Sequence, residues 1–186
     1  MQRQRGLTLV ELVVFIVVVG IAFAALLAAF NTFIRSSPDP LIRKQALAIA
    51  ESLLEEAQLM PFTFCDPDDA NAATAASSGG CATASLSEDS APHPKTGRTR
   101  YSAATPFANT SDYSGFSMTG IRAIYDGATV VSGLANYSAA VSVAATTLDV
   151  VPSPEALLVT VTVSYQGATQ VILQGYRTRY APNTGQ

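Results

Sequence analysis

A lone carboxylate, Glu11, stands at the head of an apolar run that reaches Phe30, four residues after a Gly6-Leu7 step. Held ionised near hydrocarbon, such a group costs roughly 2 to 3 kcal/mol or more unless a cation meets it. A cut between Gly6 and Leu7 would create an ammonium at the right depth, so that the two charges pair within one subunit or between neighbours. Other chemistry-bearing residues lie beyond the run. Cys65 and Cys81 would sit in an exported, oxidising compartment, where a disulfide is expected, free buried thiols being the alternative. The bridge would close a fifteen-residue loop and contribute roughly 3 kcal/mol by restricting the unfolded chain. Zinc is poorly served, since these two cysteines and His93, the single histidine, leave a tetrahedral set incomplete.

Asp66, Asp68, Asp69 and Asn71 offer hard oxygen ligands at the close spacing calcium prefers, without the glycine and distal Glu of an EF-hand loop. A solvated, turn-forming acidic loop is the competing reading. His93 lies between Pro92 and Pro94 and reads as a solvated loop residue. The chain has no nucleophile elbow, phosphate loop, paired metal-ligand motif or dinucleotide fingerprint. Neither catalysis nor a cofactor is expected.

The elements that would position these groups follow from pattern. Arg3 and Arg5 form a basic leader, which orients the N-terminus to the cytoplasm and the rest outward. Residues 12–30 would span about 28 Å as a helix, close to the bilayer core of about 30 Å. A conventional secretory signal cut among the small residues of 22–29, an unprocessed anchor and a buried core helix compete for the same run. With 186 residues, one domain remains beyond the anchor. The net charge of -3, made more acidic by losing the leader, leaves no cationic footprint for nucleic acid. Charged residues make up 13%, low beside the roughly 25% of soluble domains, as suits an anchored chain with an Ala, Ser and Thr-rich exported body.

Pro38 and Pro40 remove amide donors and break the helix just past the apolar run. From Leu41 to Met60 an amphipathic helix is predicted, with Ile42, Ala46, Ile49, Leu53, Ala57 and Met60 on its apolar stripe. Pattern then fades until about Gly115, with Phe62 and Phe64 tucking the loop's start against the core. Leu157, Val159, Val161, Val163 and Tyr165 alternate with polar residues as a half-buried strand, and Gln166-Gly167 turns the chain. Val171 to Tyr180 reads as its hairpin partner, with a bulge at Gly175 that would put Tyr176 and Tyr180 on the face of Val171 and Leu173. Tyr137, Ala139, Val141 and Val143 form an earlier strand, and Ile121 to Tyr125 a weaker one before Asp126-Gly127. Helix first and strands afterwards is an α+β order.

Arg3, Arg5, Gly6, Leu7, Thr8, Leu9, Glu11 and Leu12, with the apolar run behind them, resemble the class III signal of type IV pilins and secretion pseudopilins, although Leu7 stands where Phe is commoner. The resemblance implies that a prepilin peptidase cuts after Gly6 and methylates Leu7, and that Glu11 is the assembly carboxylate. It divides the chain into a leader (1–6), an assembly helix (7–34), a kinked amphipathic helix (35–60), a variable loop region holding the disulfide (61–115) and an antiparallel sheet of about four strands (116–186). Some pseudopilins bind calcium in this loop region. Met60-Pro61-Phe62, Cys65-Asp66-Pro67 and Asn109 to Phe116 resemble minor pilins of the mannose-sensitive haemagglutinin type. The implied function is a minor pilus subunit, in initiation or at the tip, with other pilin subunits and the inner membrane as partners. It would pass from an inner-membrane precursor with a periplasmic body to an extracellular pilus or periplasmic pseudopilus. A type II secretion pseudopilin, and an adhesin whose Cys65 to Cys81 loop meets a surface or receptor, are the alternatives.

Overall fold

The computed structural model describes residues 8–36, 40–88 and 92–183, with side chains of the first helix described as far as Phe30. Gly6, Leu7, Arg3, Arg5 and Pro38 lie outside the described residues. The chain divides into two compact units, Met1–Pro40 and Leu41–Gln186. The first is a helix, α1, Leu9–Ser36. Its many β-branched valines are mediocre helix formers in water, but a helix is the form in which a single membrane-spanning segment satisfies its own backbone. Leu9–Phe30 is long and apolar enough to cross a bilayer, with a mean hydropathy of 3.1.

The second unit begins within α2, Pro40–Leu59, whose starting proline costs no helical hydrogen bond at that position. A four-stranded antiparallel meander follows: β1 (Ser117–Thr119), β2 (Tyr137–Leu148), β3 (Val151–Tyr165) and β4 (Ala168–Thr178), in spatial order β1-β2-β3-β4. The layout is the α+β arrangement expected of a pilin-like chain. Ala46, Ile49, Ala50, Leu53 and Ala57 of α2 share one core with Tyr137, Ala139, Val141 and Val143 of β2 and Leu157, Val159, Val161 and Val163 of β3. The β3–β4 hairpin turns at Gln166 and Gly167, both at positive φ, which matches the right-handed twist of the strands.

Two strand expectations need correction. The irregularity in β4 falls at Gln170, because Val163 pairs with Val171 while Ser164 pairs with Thr169. Gly175 pairs regularly with Val159, so Val171 and Leu173 face α2 whereas Tyr176 and Tyr180 are exposed. Gly175 is small for another reason. A Cβ there would overlap the Gln58 amide and meet Leu54 Cδ1 at 3.3 Å, so α2 side chains come close to the β4 backbone at this point. Gln58 Nε2 donates to the Tyr176 carbonyl at 3.2 Å on this same approach. Ile121 to Tyr125 is not a strand. It enters a loop with one isolated bridge, Arg122 to Val130, because Asp126 Oδ1 accepts the amides of Ala128 and Thr129 and closes the chain too early for a ladder. The first strand is instead Ser117–Thr119.

Gly175→Val should destabilise the body by about 1 to 3 kcal/mol through overpacking under Gln58 and Leu54. Gln174→Val, on the outer face, should leave stability nearly unchanged. Urea unfolding of the full chain in detergent, followed by tyrosine fluorescence, separates the two.

Candidate functional site

Thr8 precedes α1 and accepts the Glu11 amide on Oγ1 at 3.3 Å, while its carbonyl accepts the Leu12 amide at 3.2 Å. Thr8 is therefore the N-cap, and Thr8-x-x-Glu11 has the spacing of a capping box, a signal present in the sequence. Glu11 sits in the first helical turn, where the helix dipole favours an anion by about 0.3 to 1 kcal/mol. That is less than the cost of roughly 2.5 to 3.5 kcal/mol for a charge deep in a bilayer. Local capping offsets only part of the cost, and the remainder calls for a cation.

The second candidate is the long connection from α2 to β1. Its regular pieces are short 3-10 turns at Ser78–Gly80, Ala84–Leu86 and Thr110–Tyr113. Polar groups hold it in place. Cys65 and Cys81 are joined by a disulfide, with their Cα atoms 5.6 Å apart. Beside it, the Asp66 amide donates to the Leu86 carbonyl at 2.7 Å and the Glu88 amide to the Phe64 carbonyl at 2.9 Å, which sets Cys65 opposite Ser87 in a short antiparallel contact.

The proposed calcium ligands are committed elsewhere. Asp66 accepts Arg98 Nη2 at 2.6 Å, and the same nitrogen reaches Asp68. Asp69 accepts the amides of Asn71, Ala82 and Thr83 at 2.9, 2.9 and 2.8 Å. Burial works to raise the Asp69 pKa, but these three donors hold its carboxyl below the usual value. Asn71 gives its side-chain amide to the Gly80 carbonyl at 2.9 Å. Among the described residues no group of three or more His, Cys, Asp or Glu is placed to hold a metal ion. The solvated, turn-forming alternative is met in its turns and at the exposed Asp68, whereas Asp66 and Asp69 are buried. His93 is exposed, as expected.

The sequence reading missed a set of buried ion pairs that stitch the loop to both α2 and the sheet. Arg100 donates through Nε and Nη2 to the two oxygens of Glu56 on α2, at 2.8 and 2.6 Å, and Tyr113 donates to Glu56 Oε1 at 2.7 Å. Lys95 faces Glu88 at 3.3 Å, and Ser111 donates to Glu88 as well. Arg179, after β4, donates to Glu155 at 3.0 Å and to the Glu88 carbonyl at 2.8 Å, with its guanidinium 4.1 Å from the Phe62 ring centre and 4.9 Å from that of Phe64. Asp112 receives the amides of Lys95, Ala108 and Asn109, and the Asn109 side chain bonds Thr63 in both directions. The only sequence signal was that every acidic stretch here has an Arg or Lys downstream, which specifies no pairing. The exposed residues of the disulfide loop are Asp68, Ala70, Ala73, Thr74, Ala76, Ser77, Gly79 and Gly80.

Residues 1–27 match the family model described as the prokaryotic N-terminal methylation motif. No curated protein and no solved structure matches the chain. With an apolar helix behind that motif and an α+β body beyond it, the chain fits a type IV pilin-like protein. More particularly, the motif supports a pilin-like or pseudopilin precursor, and a motif of this type implies processing by a prepilin peptidase, assembly with other pilins and an inner-membrane anchor beforehand.

Glu56→Ala should cost about 3 to 5 kcal/mol, because it strands the buried Arg100 guanidinium. Thermal unfolding of the full chain measures this. Glu88 sets a pH dependence of its own. Burial pushes its carboxyl above the ordinary value of 4.5, against the Ser111 and Lys95 contacts that lower it. The folded state thus binds the proton more tightly than the unfolded chain, and stability falls as pH rises above about 4.5. Glu88→Gln should remove that decline from a plot of melting temperature against pH.

Proposed function

We propose that this chain is a minor structural subunit of a type IV pilus or related filament, made as a precursor, cut after Gly6 and N-methylated on Leu7. The single observation behind this reading is the methylation motif over residues 1–27, continuous with a helix apolar enough to span a membrane. On this reading α1 leaves the bilayer to be covered by neighbouring helices, which keeps its apolar surface from water. Glu11 pairs with the Leu7 ammonium of a subunit and sets axial register, since any offset leaves two charges uncompensated in a medium of low dielectric. Leu41–Gln186 forms a compact unit with its own core, which suits a body carried outside while the helix is buried in the filament. The role is structural, not enzymatic, and places the subunit in initiation or near the tip. A secretion pseudopilin, ending in the periplasm instead of outside the cell, shares all of this chemistry.

A tip adhesin is the second reading, favoured by the exposed Ala73, Thr74, Ala76 and Ser77 that the disulfide presents. Removing residues 66–80 would not test it, because Asp66 and Asp69 are structural. Point changes of the exposed residues leave the bridge intact and are the proper probe.

Mass spectrometry of the mature N-terminus should give N-methyl leucine at residue 7. Glu11→Val should still be processed but should be lost from sheared filaments. An intact Met1, a cut among residues 22–29 or normal incorporation of Glu11→Val would reject the respective step.

A further inference from the structure

A cleft of about 320 Å³ opens between α2 and the loop that follows β1. Its apolar lining is Ile49 and Leu53 of α2, Met118 of β1, and Ile121 and Leu134 of the loop. The loop is pinched at its neck, where the Ile121 amide donates to the Leu134 carbonyl at 3.2 Å and the Val131 amide to the Ile121 carbonyl at 2.8 Å. Ile121 and Leu134 are thereby held side by side, so this wall of the cleft is set by backbone bonds. The volume falls at the lower end of small-molecule pockets, which run from about 300 to 1,000 Å³.

Arg100 and Arg122 also line the cleft, and no carboxylate does. Arg100 is neutralised by both oxygens of Glu56. Arg122 is not neutralised. Its Nη1 donates to the carbonyls of Gly127 and Ala128 at 3.2 and 3.3 Å, while Nε and Nη2 take part in no hydrogen bond or ion pair among the described residues. Asp126, the acidic residue of the same loop, is spent on Ala128 and Thr129. A half-buried cation beside apolar side chains has given up hydration that two carbonyl contacts only partly replace. Its open edge, Nε and Nη2, is the one through which Arg100 grips Glu56: two parallel donors spaced for the two oxygens of a carboxylate. We propose that this cleft binds a small apolar monocarboxylate, its hydrocarbon body against Ile49, Leu53, Met118, Ile121 and Leu134 and its carboxylate on Nε and Nη2 of Arg122. The one surplus cation selects a single negative charge. The apolar lining selects a compact hydrocarbon over a sugar, whose many hydroxyls would lose water there without gaining partners. The site lies within Leu41–Gln186 and stands independently of the filament reading.

Two methionines read occupancy separately, since Met118 lines the cleft and Met60 does not. The full-length chain, methyl-labelled at methionine and held in lipid nanodiscs, is titrated with naphthoate and followed by NMR, with Met60→Leu assigning the signals. The Met118 methyl should shift saturably while Met60 stays in place. Naphthamide, which keeps the hydrocarbon body and loses the charge, should bind more weakly by about five-fold or more. Arg122→Gln should weaken naphthoate to the level of the amide, and Ala48→Phe, which fills the cleft from the exposed side of α2, should abolish the shift with either probe. An unmoved Met118, a Met60 shift that tracks it as simple partition into lipid would give, or equal binding of acid and amide overturns the proposal. So does unchanged naphthoate binding by Arg122→Gln. The acid and amide are compared on the unaltered chain, so the charge recognition is decided even where a variant fails to fold.

Discussion

The constraint on which the rest depends is an apolar helix of membrane-spanning length. Across Leu9–Phe30 no part of the span is covered, and a helix this apolar is stable in lipid or among other helices but not in water. Two consequences follow. The remainder, Leu41–Gln186, must be stable without it, and something must fix where one such helix stops against the next. The first is met by α2 on the sheet: alanines at 46, 50 and 57 let the helix settle on the valines of β2 and β3, and Gly175 removes the side chain that would hold it off β4.

A body this small, with a connection of over fifty residues between helix and sheet, has too little apolar surface to pin the connection by burial alone. Among its described residues, Phe62, Phe107 and Tyr113 join the main core, and the rest of its apolar packing is a small cluster of Cys65, Ala72 and Ala75 with Phe64 and Cys81 against it. Buried charges take over. Glu56, Glu88, Asp66 and Asp112 each meet an Arg, a Lys or backbone amides, and Arg179 lies over Phe62 and Phe64. Such pairs add little net energy relative to an apolar core, but breaking one strands a charge, so they select a single loop arrangement.

This explains which features could be read in advance. The spanning helix, the α2 stripe and the β2 and β3 strands declare themselves through periodicities of 3.6 and 2, because their burial is repetitive. The disulfide was legible because two cysteines admit one intramolecular pairing. The bulge was misplaced because glycine signals both a bulge and a close approach, and only the position of Gln58 separates the two. Ile121 to Tyr125 reads as a strand on composition, yet the Asp126 side chain wins the local contest for amides. Asp66, Asp68, Asp69 and Asn71 read as an oxygen cluster because spacing reveals donors but not what already faces them. Arg98 lies some thirty residues on, and a pairing at that separation depends on the fold itself.

The charge at the head of α1 follows a logic that neither periodicity nor burial imposes. The ammonium proposed at Leu7 precedes Glu11, and the capping by Thr8 recovers only part of the cost of the carboxylate. In the proposed filament the carboxylate of α1 is compensated when the ammonium of a subunit reaches it. Burying apolar surface drives helices together but is indifferent to sliding, since the surface is nearly uniform along α1. Paired charges in a poorly solvated seam are sensitive to a displacement of a few ångströms. In the proposed filament the hydrophobic surface supplies the attraction, and the pairing proposed for Glu11 supplies the step.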